Sequence, residues 1–332
     1  MNAFQRFYRR SGLRHFLRRR RNALLYHLTR GAMGPLRSAS LPGALAFADR
    51  AADVTYGALP GIRRLALNHL AIAFGDTLSV AARKDIAREA YRNVARSVVE
   101  VVKFDEILPH FGEYASTEGF EHLQDVAARG CGGIIVAGHI GNSELLAGYA
   151  ARNGIPLAVV GRQIEDPRLN QLVVDFRSSH GMRVILRSSP RASSEILRTL
   201  KHGGLLALQI DQDIRVPSVS VPFFGRLVRT PAAPAVLAVR RDLPVVVVFA
   251  QRRPEGGQHF TFLPPILPPK TGDRQRDIIE LTHRFSQLLE ERIRLTPAEW
   301  NWWHRRWRRP PVPGLDLDAD RRPTEKAQAK AS

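Results

Sequence analysis

Residues 133–153 read GIIVAGHIGNSELLAGYAARN, and this stretch indicates the fold class. Its first part, 133–138, is a short apolar run without polar alternation, which predicts a strand buried on both faces. Its last part, 143–153, carries apolar residues at helical spacing and predicts a helix. A buried strand followed directly by a helix is the repeating unit of a parallel α/β sheet.

The same alternation continues along the chain. Further apolar strands are predicted at 156–161, 182–186, 205–210 and 244–250. Helices are predicted at 118–129, 167–180, 191–202 and 231–241, whereas 211–230 has no regular pattern. We therefore predict an α/β fold with a mostly parallel central sheet flanked by helices, whose ligands bind at the carboxyl ends of the strands.

Helical patterns also lie before and after this region. An apolar, proline-punctuated stretch covers 40–75, an amphipathic helix is predicted at 78–104, and a long one at 273–295. Beyond Pro310 the composition is typical of a disordered tail. The predicted organisation is thus an N-terminal arm at 1–40, an α/β domain at 41–310 that begins with a helical region, and a tail at 311–332.

The net charge predicts an anionic partner. The 332 residues include 50 basic and 31 acidic ones, for a net charge of +19, and only six of the basic residues are Lys. Arginine forks suit phosphate and carboxylate, so nucleic acid, phospholipid, an acidic carrier protein or a phosphorylated substrate would fit. The single cysteine, Cys131, excludes an internal disulfide framework and a cysteine-based zinc site.

The first thirty residues hold nine arginines and no acid, with aromatic residues between them. This pattern favours a helix lying in an anionic membrane interface over a nonspecific basic tail or a nucleic-acid contact. There is no apolar run of about 20 residues to span a bilayer, and no secretory signal.

The segment GHIGNSE at 138–144 offers acid–base chemistry. His139 leaves the end of a strand, and Glu144 falls in the first turn of the next helix, where its carboxylate could orient the imidazole. The alternative is a structural histidine that caps a turn. Arg162, Arg177 and Asp211 follow strands or end a helix nearby, and together these residues predict a pocket for an anionic substrate.

Four ordered motifs between about residues 80 and 310 resemble the late acyltransferases of lipid A biosynthesis, members of the lysophospholipid acyltransferase superfamily. They are GHIGNSE, the DQD at 211–213, VPFFG with a later Thr230, and PAEWNWWHRRW at 297–307. Two features depart from the family pattern: Ser143 replaces a frequent aromatic residue, and the Arg-rich arm replaces an N-terminal membrane helix.

The resemblance implies a glycerolipid-acyltransferase-like fold and transfer of a fatty acyl chain from acyl carrier protein, or acyl-CoA, to a hydroxyl of a lipid A precursor. His139 would be the general base and Glu144 its partner; Arg162, Arg177 and Asp211 would bind substrate. It implies no cofactor and no metal. The partners would be acyl carrier protein, a glycolipid and the cytoplasmic face of the inner membrane, to which the protein would attach peripherally or monotopically.

Two alternatives remain open at this point. The acceptor could be a phosphatidylinositol mannoside or a lysophospholipid, because the motifs do not distinguish between them. The less favoured alternative is a nucleic-acid-binding protein that uses the basic arm, but no zinc finger, RNP motif or heptad run follows that arm. The Trp-rich segment at 300–307 fits an interfacial anchor and a packed C-terminal segment equally well.

Overall fold

The structure is a computed structural model that describes residues 20–313, except for 21 and 25. Residues 1–19 of the predicted arm and 314–332 of the predicted tail therefore lie outside the described residues. Residues 26–38 are helical (α1). No helix in the described part is both long enough and apolar enough to cross a membrane.

Seven strands form the central sheet in the order β1-β9-β8-β2-β5-β3-β4. They are β1 Ala115–Glu118, β2 Gly133–Ala137, β3 Leu157–Gly161, β4 Arg183–Leu186, β5 Leu205–Gln209, β8 Val245–Arg252 and β9 Gln258–Phe262. All neighbours are parallel except β8 and β9. The prediction of a mostly parallel α/β sheet is confirmed.

Helices precede the first strand and then cover both faces of the sheet. The N-terminal helical region holds α1 with α2 Leu41–Ala58, α3 Pro60–Phe74, α4 Val80–Val102, α5 Phe104–Ile107 and α6 Phe111–Tyr114. The later helices are α7 Phe120–Ala128, α8 Ser143–Arg152, α9 Pro167–Ser179, α10 Ala192–Lys201, α11 Ala233–Arg241 and α12 Arg274–Leu295. The N-terminal helical region is thus confirmed as well.

The region expected to be irregular contains a β-hairpin, β6 Ser218–Phe223 and β7 Arg226–Pro231. Its two-residue turn has positive φ at both Phe224 and Gly225, a conformation that is unusual for phenylalanine. Burial of the Phe224 ring against Trp302 and a hydrogen bond from its backbone N–H to Glu290, 2.5 Å long, hold it there. These contacts come from distant parts of the chain, so the local pattern did not reveal the hairpin.

The C-terminal Trp-rich segment packs inside the protein. Trp300 and Trp302 are almost completely buried, and Ile140 forms an isolated antiparallel bridge with Trp300. The N–H of Gly141 donates to the carbonyl of Glu299 over 2.9 Å. Of the two interpretations of this segment, the packed one therefore holds for Trp300 and Trp302, and the segment braces the turn that follows β2.

Candidate active site

The turn between β2 and α8 covers residues 138–142, the larger part of GHIGNSE. Gly141 has a φ of +58°, and a Cβ there would lie 2.3 Å from the carbonyl oxygen of Ala250, so only glycine fits. Asn142 caps α8, because its Oδ1 accepts the N–H of Leu145 at 3.1 Å. The turn thus holds His139 at the carboxyl end of β2.

A buried polar network between the turn, α4 and β8 holds this turn in place. The amide of Asn142 donates to Glu100 of α4 over 2.8 Å, and the Glu100 side chain is fully buried. Arg252 of β8 forms a bidentate ion pair with Glu100 at 2.6 and 3.0 Å. Burial would raise the pKa of Glu100, but the hydrogen bonds and charge of Arg252 hold it below its usual value. The capping residue Asn142 is thus held by an ionised, hydrogen-bonded carboxylate.

Asp211, at the end of β5, is bound to His139 at two points. Its Oδ2 accepts the backbone N–H of His139 at 2.7 Å, and its Oδ1 lies 2.8 Å from the imidazole Nδ1. The indole N–H of Trp300 donates to Oδ2 over 2.8 Å. Since an ionised carboxylate only accepts hydrogen bonds, Nδ1 carries the proton and the Nε2 of neutral His139 has a free lone pair.

The electrostatics match this arrangement. Burial alone would lower the pKa of His139, but the negative charge of Asp211, its hydrogen bond and the charge of Glu144 raise the pKa above its ordinary value. Burial would raise the pKa of Asp211, yet His139 and the hydrogen bonds hold it far below its ordinary value. A more basic imidazole next to a permanent carboxylate can accept a proton from a hydroxyl.

The structure places Glu144 and Asp211 differently from the sequence-based expectation. Glu144 was expected to orient His139, but the structure gives that contact to Asp211. Asp211 was expected to contact substrate, but its side chain is only 1% exposed and lies behind the imidazole. The physical reason is that the carboxyl ends of neighbouring parallel strands meet, and β5 lies beside β2.

Glu144 is instead paired with Arg177 of α9. The guanidinium donates to both carboxylate oxygens, with distances of 3.0 Å for Nε–Oε2 and 2.5 Å for Nη2–Oε1. The Arg177 side chain is 15% exposed and that of Glu144 is 34% exposed, so the pair is partly open to solvent. It connects α8 to α9 beside His139.

An apolar pocket extends from this ion pair between α8 and the sheet. Glu144, Arg177, Ser143 and Gln209 are its polar lining residues. The remaining lining is apolar and rich in small side chains, with alanines at Ala137, Ala147, Ala150, Ala207 and Ala250. Small side chains on both the helix and the sheet leave a slot whose chemistry suits a hydrocarbon chain.

Arg162 follows β3 but does not join this group. Its side chain is 70% exposed, and it forms an ion pair with Glu165, with Nη2–Oε1 at 3.6 Å.

His304, which the sequence did not indicate as a site residue, contacts the loop that carries Asp211: its Nε2 accepts the N–H of Asp213 at 2.9 Å. Burial and the positive charge of Arg306 lower the pKa of His304 despite the negative charge of Asp211. Since its Nε2 accepts a hydrogen bond, the proton of the neutral ring is on Nδ1. The only sequence signal for it was the Trp-rich motif itself.

The described residues contain no group of three or more His, Cys, Asp or Glu side chains that could hold a metal ion. The functional groups that meet in this region are the His139–Asp211 pair and the Glu144–Arg177 pair, and the apolar pocket lies beside them.

Comparison with known proteins gives a family and several relatives. The family described as "Bacterial lipid A biosynthesis acyltransferase" matches residues 44–309. Phosphatidylinositol mannoside acyltransferases from two strains of Mycobacterium tuberculosis are 26% identical over 191 residues, which cover 57% of this chain and 58% of theirs. The enzyme of that name from Mycolicibacterium smegmatis is 25% identical over 198 residues, covering 59% of this chain and 63% of its own. The chain thus spans about six tenths of the length of the curated relatives it matches.

Proposed function

Because the chain belongs to the bacterial lipid A biosynthesis acyltransferase family, we propose that it transfers a fatty acyl group from a thioester donor to a hydroxyl of a phosphorylated glycolipid. The observation that carries this proposal is the His139 imidazole, whose Nδ1 is bound by Asp211, beside a pocket whose apolar lining matches the chemistry of an acyl chain. The donor would be acyl carrier protein or acyl-CoA.

In the proposed reaction, Nε2 of His139 takes the proton of the acceptor hydroxyl while the hydroxyl oxygen attacks the carbonyl carbon of the thioester. Asp211 stabilises the resulting imidazolium by charge. The tetrahedral intermediate collapses to the new ester, and the thiolate leaves with the proton that His139 returns. No acyl-enzyme forms, since no Ser or Cys nucleophile is needed when the hydroxyl attacks directly.

The acceptor is the open choice within this proposal. The family name favours a lipid A precursor, whereas the named mycobacterial relatives favour a phosphatidylinositol mannoside. Both are glycolipids that carry phosphate, which suits a chain with a net charge of +19. Incubation of the purified protein with acyl donor and each acceptor, followed by mass spectrometry, decides: a product heavier by one acyl group supports the proposal, and absence of acylation with every glycolipid and lysophospholipid contradicts it.

The pocket should set the preferred chain length. Ala147→Phe places a bulky ring in the slot beneath α8, so long acyl chains lose buried methylenes, at about 0.8 kcal/mol each. We expect the ratio of kcat/KM for long over short acyl donors to fall at least tenfold. Ala151→Phe on the same helix, which does not line the pocket, serves as the control, and an unchanged chain preference in Ala147→Phe would contradict the acyl pocket.

The Glu144–Arg177 pair should act as one unit. We expect Arg177→Ala to lower the rate of acyl transfer about 10- to 100-fold, as for the loss of a charge-assisted bidentate contact. Arg177→Lys keeps the charge without the fork and should fall less. If the two side chains act through each other, Glu144→Ala/Arg177→Ala should be little worse than the poorer single variant. The exposed Arg152→Ala is the control; additive losses would show independent roles.

The N-terminal helices are proposed to rest on the anionic cytoplasmic face of the inner membrane. Large apolar side chains are exposed on them: Leu24, Leu28, Phe47 and Val54. Several arginines, including Arg30, Arg37 and Arg50, are interspersed. Apolar residues that enter the interface next to basic residues bind anionic lipid.

We expect Phe47→Asp/Val54→Asp to weaken binding to anionic vesicles at least tenfold, because each large apolar group contributes about 1.5–3 kcal/mol when buried. Vesicle sedimentation at low and high salt is the measurement, with the equally exposed Leu267→Asp as control. Equal binding of the double variant and the parent would place the attachment elsewhere.

A further inference from the structure

Two arginines stand side by side where β3 and β4 end. The last residues of these parallel strands, Gly161 and Leu186, are paired in register, so Arg162 and Arg187 follow at the same level. The backbone N–H of Arg187 donates to the carbonyl of Gly161 over 2.8 Å. Ser188 Oγ donates to Gln163 Oε1 over 3.1 Å. Hydrogen bonds thus hold the two strand ends together, and the Cα atoms of Arg162 and Arg187 lie just past the ends of adjacent strands.

These two arginines differ from their neighbours in their counter-charges. Arg177 and Arg168 each form short hydrogen bonds to a carboxylate. Within residues 20–313 as described, the one ion pair of Arg162 is a long contact with Glu165, and no carboxylate there forms an ion pair with Arg187. Burial and the positive charge of Arg162 lower the pKa of Arg187, which indicates two cations close together with little compensation.

The pair also lies on the same edge of the sheet as the candidate active site. Strands β2, β5, β3 and β4 are consecutive neighbours, and they are followed by His139, Asp211, Arg162 and Arg187. Neighbouring strands lie about 4.8 Å apart, so the backbone of Arg187 lies about 14 Å from the backbone of His139, three strands away. A Cβ on Gly161 would lie 3.2 Å from Nη1 of Arg177, so the end of β3, from which Arg162 follows, adjoins the polar end of the pocket.

We propose that Arg162 and Arg187 together bind a phosphate group of a substrate while its reacting atom is at His139. Two planar guanidinium groups can each donate two hydrogen bonds to phosphate oxygens, and a phosphate would supply the missing negative charge. The identity of the group as a substrate phosphate rests on the proposed function. Two sources share this chemistry: the phosphate esters of a coenzyme A or phosphopantetheine donor, and the phosphate of the glycolipid acceptor.

A binding experiment tests the site without any acyl transfer. Inorganic pyrophosphate should raise the melting temperature of the parent protein, because a ligand that binds only the folded state stabilises it. The shift should be lost in Arg187→Gln and retained in Arg183→Gln, which removes an exposed arginine at the other end of the same strand. No shift in the parent, or an equal shift in Arg187→Gln, would overturn the proposal.

Steady-state kinetics then identify the source of the phosphate. Arg187→Gln should raise KM for the phosphate-bearing substrate about 10- to 100-fold with little change in kcat. The measurement is then repeated in two arms, one with acyl-pantetheine in place of acyl-CoA and one with a glycolipid acceptor that lacks phosphate. The KM increase of Arg187→Gln should disappear in only one arm, the one that lacks the phosphate bound by the arginines. If the effect persists in both phosphate-free arms, Arg187 has another role.

The double variant Arg162→Gln/Arg187→Gln completes the test. If both arginines hold one phosphate, the KM increases should be non-additive, whereas independent surface charges would add. A parent protein without acyl transfer would contradict the proposed function, yet the pyrophosphate experiment would still decide whether the arginine pair is an anion site.

Discussion

His139→Ala is expected to lower the rate of acyl transfer about 10²–10⁴-fold, the effect of losing a general base. The side chain removed is the one whose Nε2 is left free by the hydrogen bond between Nδ1 and Asp211. The fold should survive, because Asp211 keeps its hydrogen bonds from the backbone N–H of residue 139 and from Trp300.

The measurement is kcat for acyl transfer to glycolipid, alongside the melting temperature of the same preparation. His202→Ala, at the exposed end of α10, is the matched control and should behave like the parent. A His139→Ala protein with parental activity would remove His139 from the chemistry and leave the structural interpretation, a histidine that closes the turn after β2.

Asp211→Asn is expected to reduce the rate by a similar factor for a different reason. An asparagine can donate its amide to Nδ1, which would move the imidazole proton to Nε2 and abolish the free lone pair. The neutral side chain also cannot stabilise the imidazolium that forms when the acceptor hydroxyl is deprotonated. Both effects act on kcat, whereas a residue that only bound substrate would act mainly on KM.

The pH profile separates this role from simple loss of structure. His139 must be neutral to accept a proton, so activity of the parent should fall as the pH drops through the raised pKa of His139, above the ordinary value of 6.5. In Asp211→Asn the Coulomb attraction is gone and burial dominates, so the pKa falls and the acid limb of the residual activity should move to lower pH.

Asp213→Asn is the matched control for this experiment. Asp213 lies in the same loop and pairs with Arg309, away from the imidazole. The control should leave the acid limb in place. An acid limb that stays at the parental pH in Asp211→Asn would show that Asp211 does not set the basicity of the catalytic group.

The sequence by itself was sufficient for five of the seven strands of the sheet, β2, β3, β4, β5 and β8. Buried strands such as 133–137 and 205–209 are short apolar runs between amphipathic helices. Such a run predicts a buried strand whichever strand it pairs with, so the local sequence is enough. It was not sufficient for β1, β9 and the hairpin of β6 and β7. These strands are short, partly polar or interrupted by proline. β1 forms because the distant β9 supplies its hydrogen bonds, and the turn of the hairpin is held by Trp302 and Glu290 from the C-terminal part of the chain.

The site divides in the same way. The residues of the motif, His139 and Glu144, are close in sequence, and a strand-end turn before a helix is readable from the residues alone. Which carboxylate touches the imidazole is not, because Asp211 is 72 positions away and reaches His139 only when β5 pairs with β2. Sequence proximity suggested Glu144, whose charge is instead bound by Arg177 of α9.

The amino-acid sequence thus determined that the chain forms a parallel α/β sheet with a histidine at a strand end, since hydrophobic periodicity and turn chemistry are local. Tertiary structure decided the partners: the buried Asp211 behind His139, Trp300 against Asp211, and Arg187 beside Arg162. Strand order is the physical reason, because it sets which carboxyl ends are neighbours, and no local pattern encodes the order of strands that are distant along the chain.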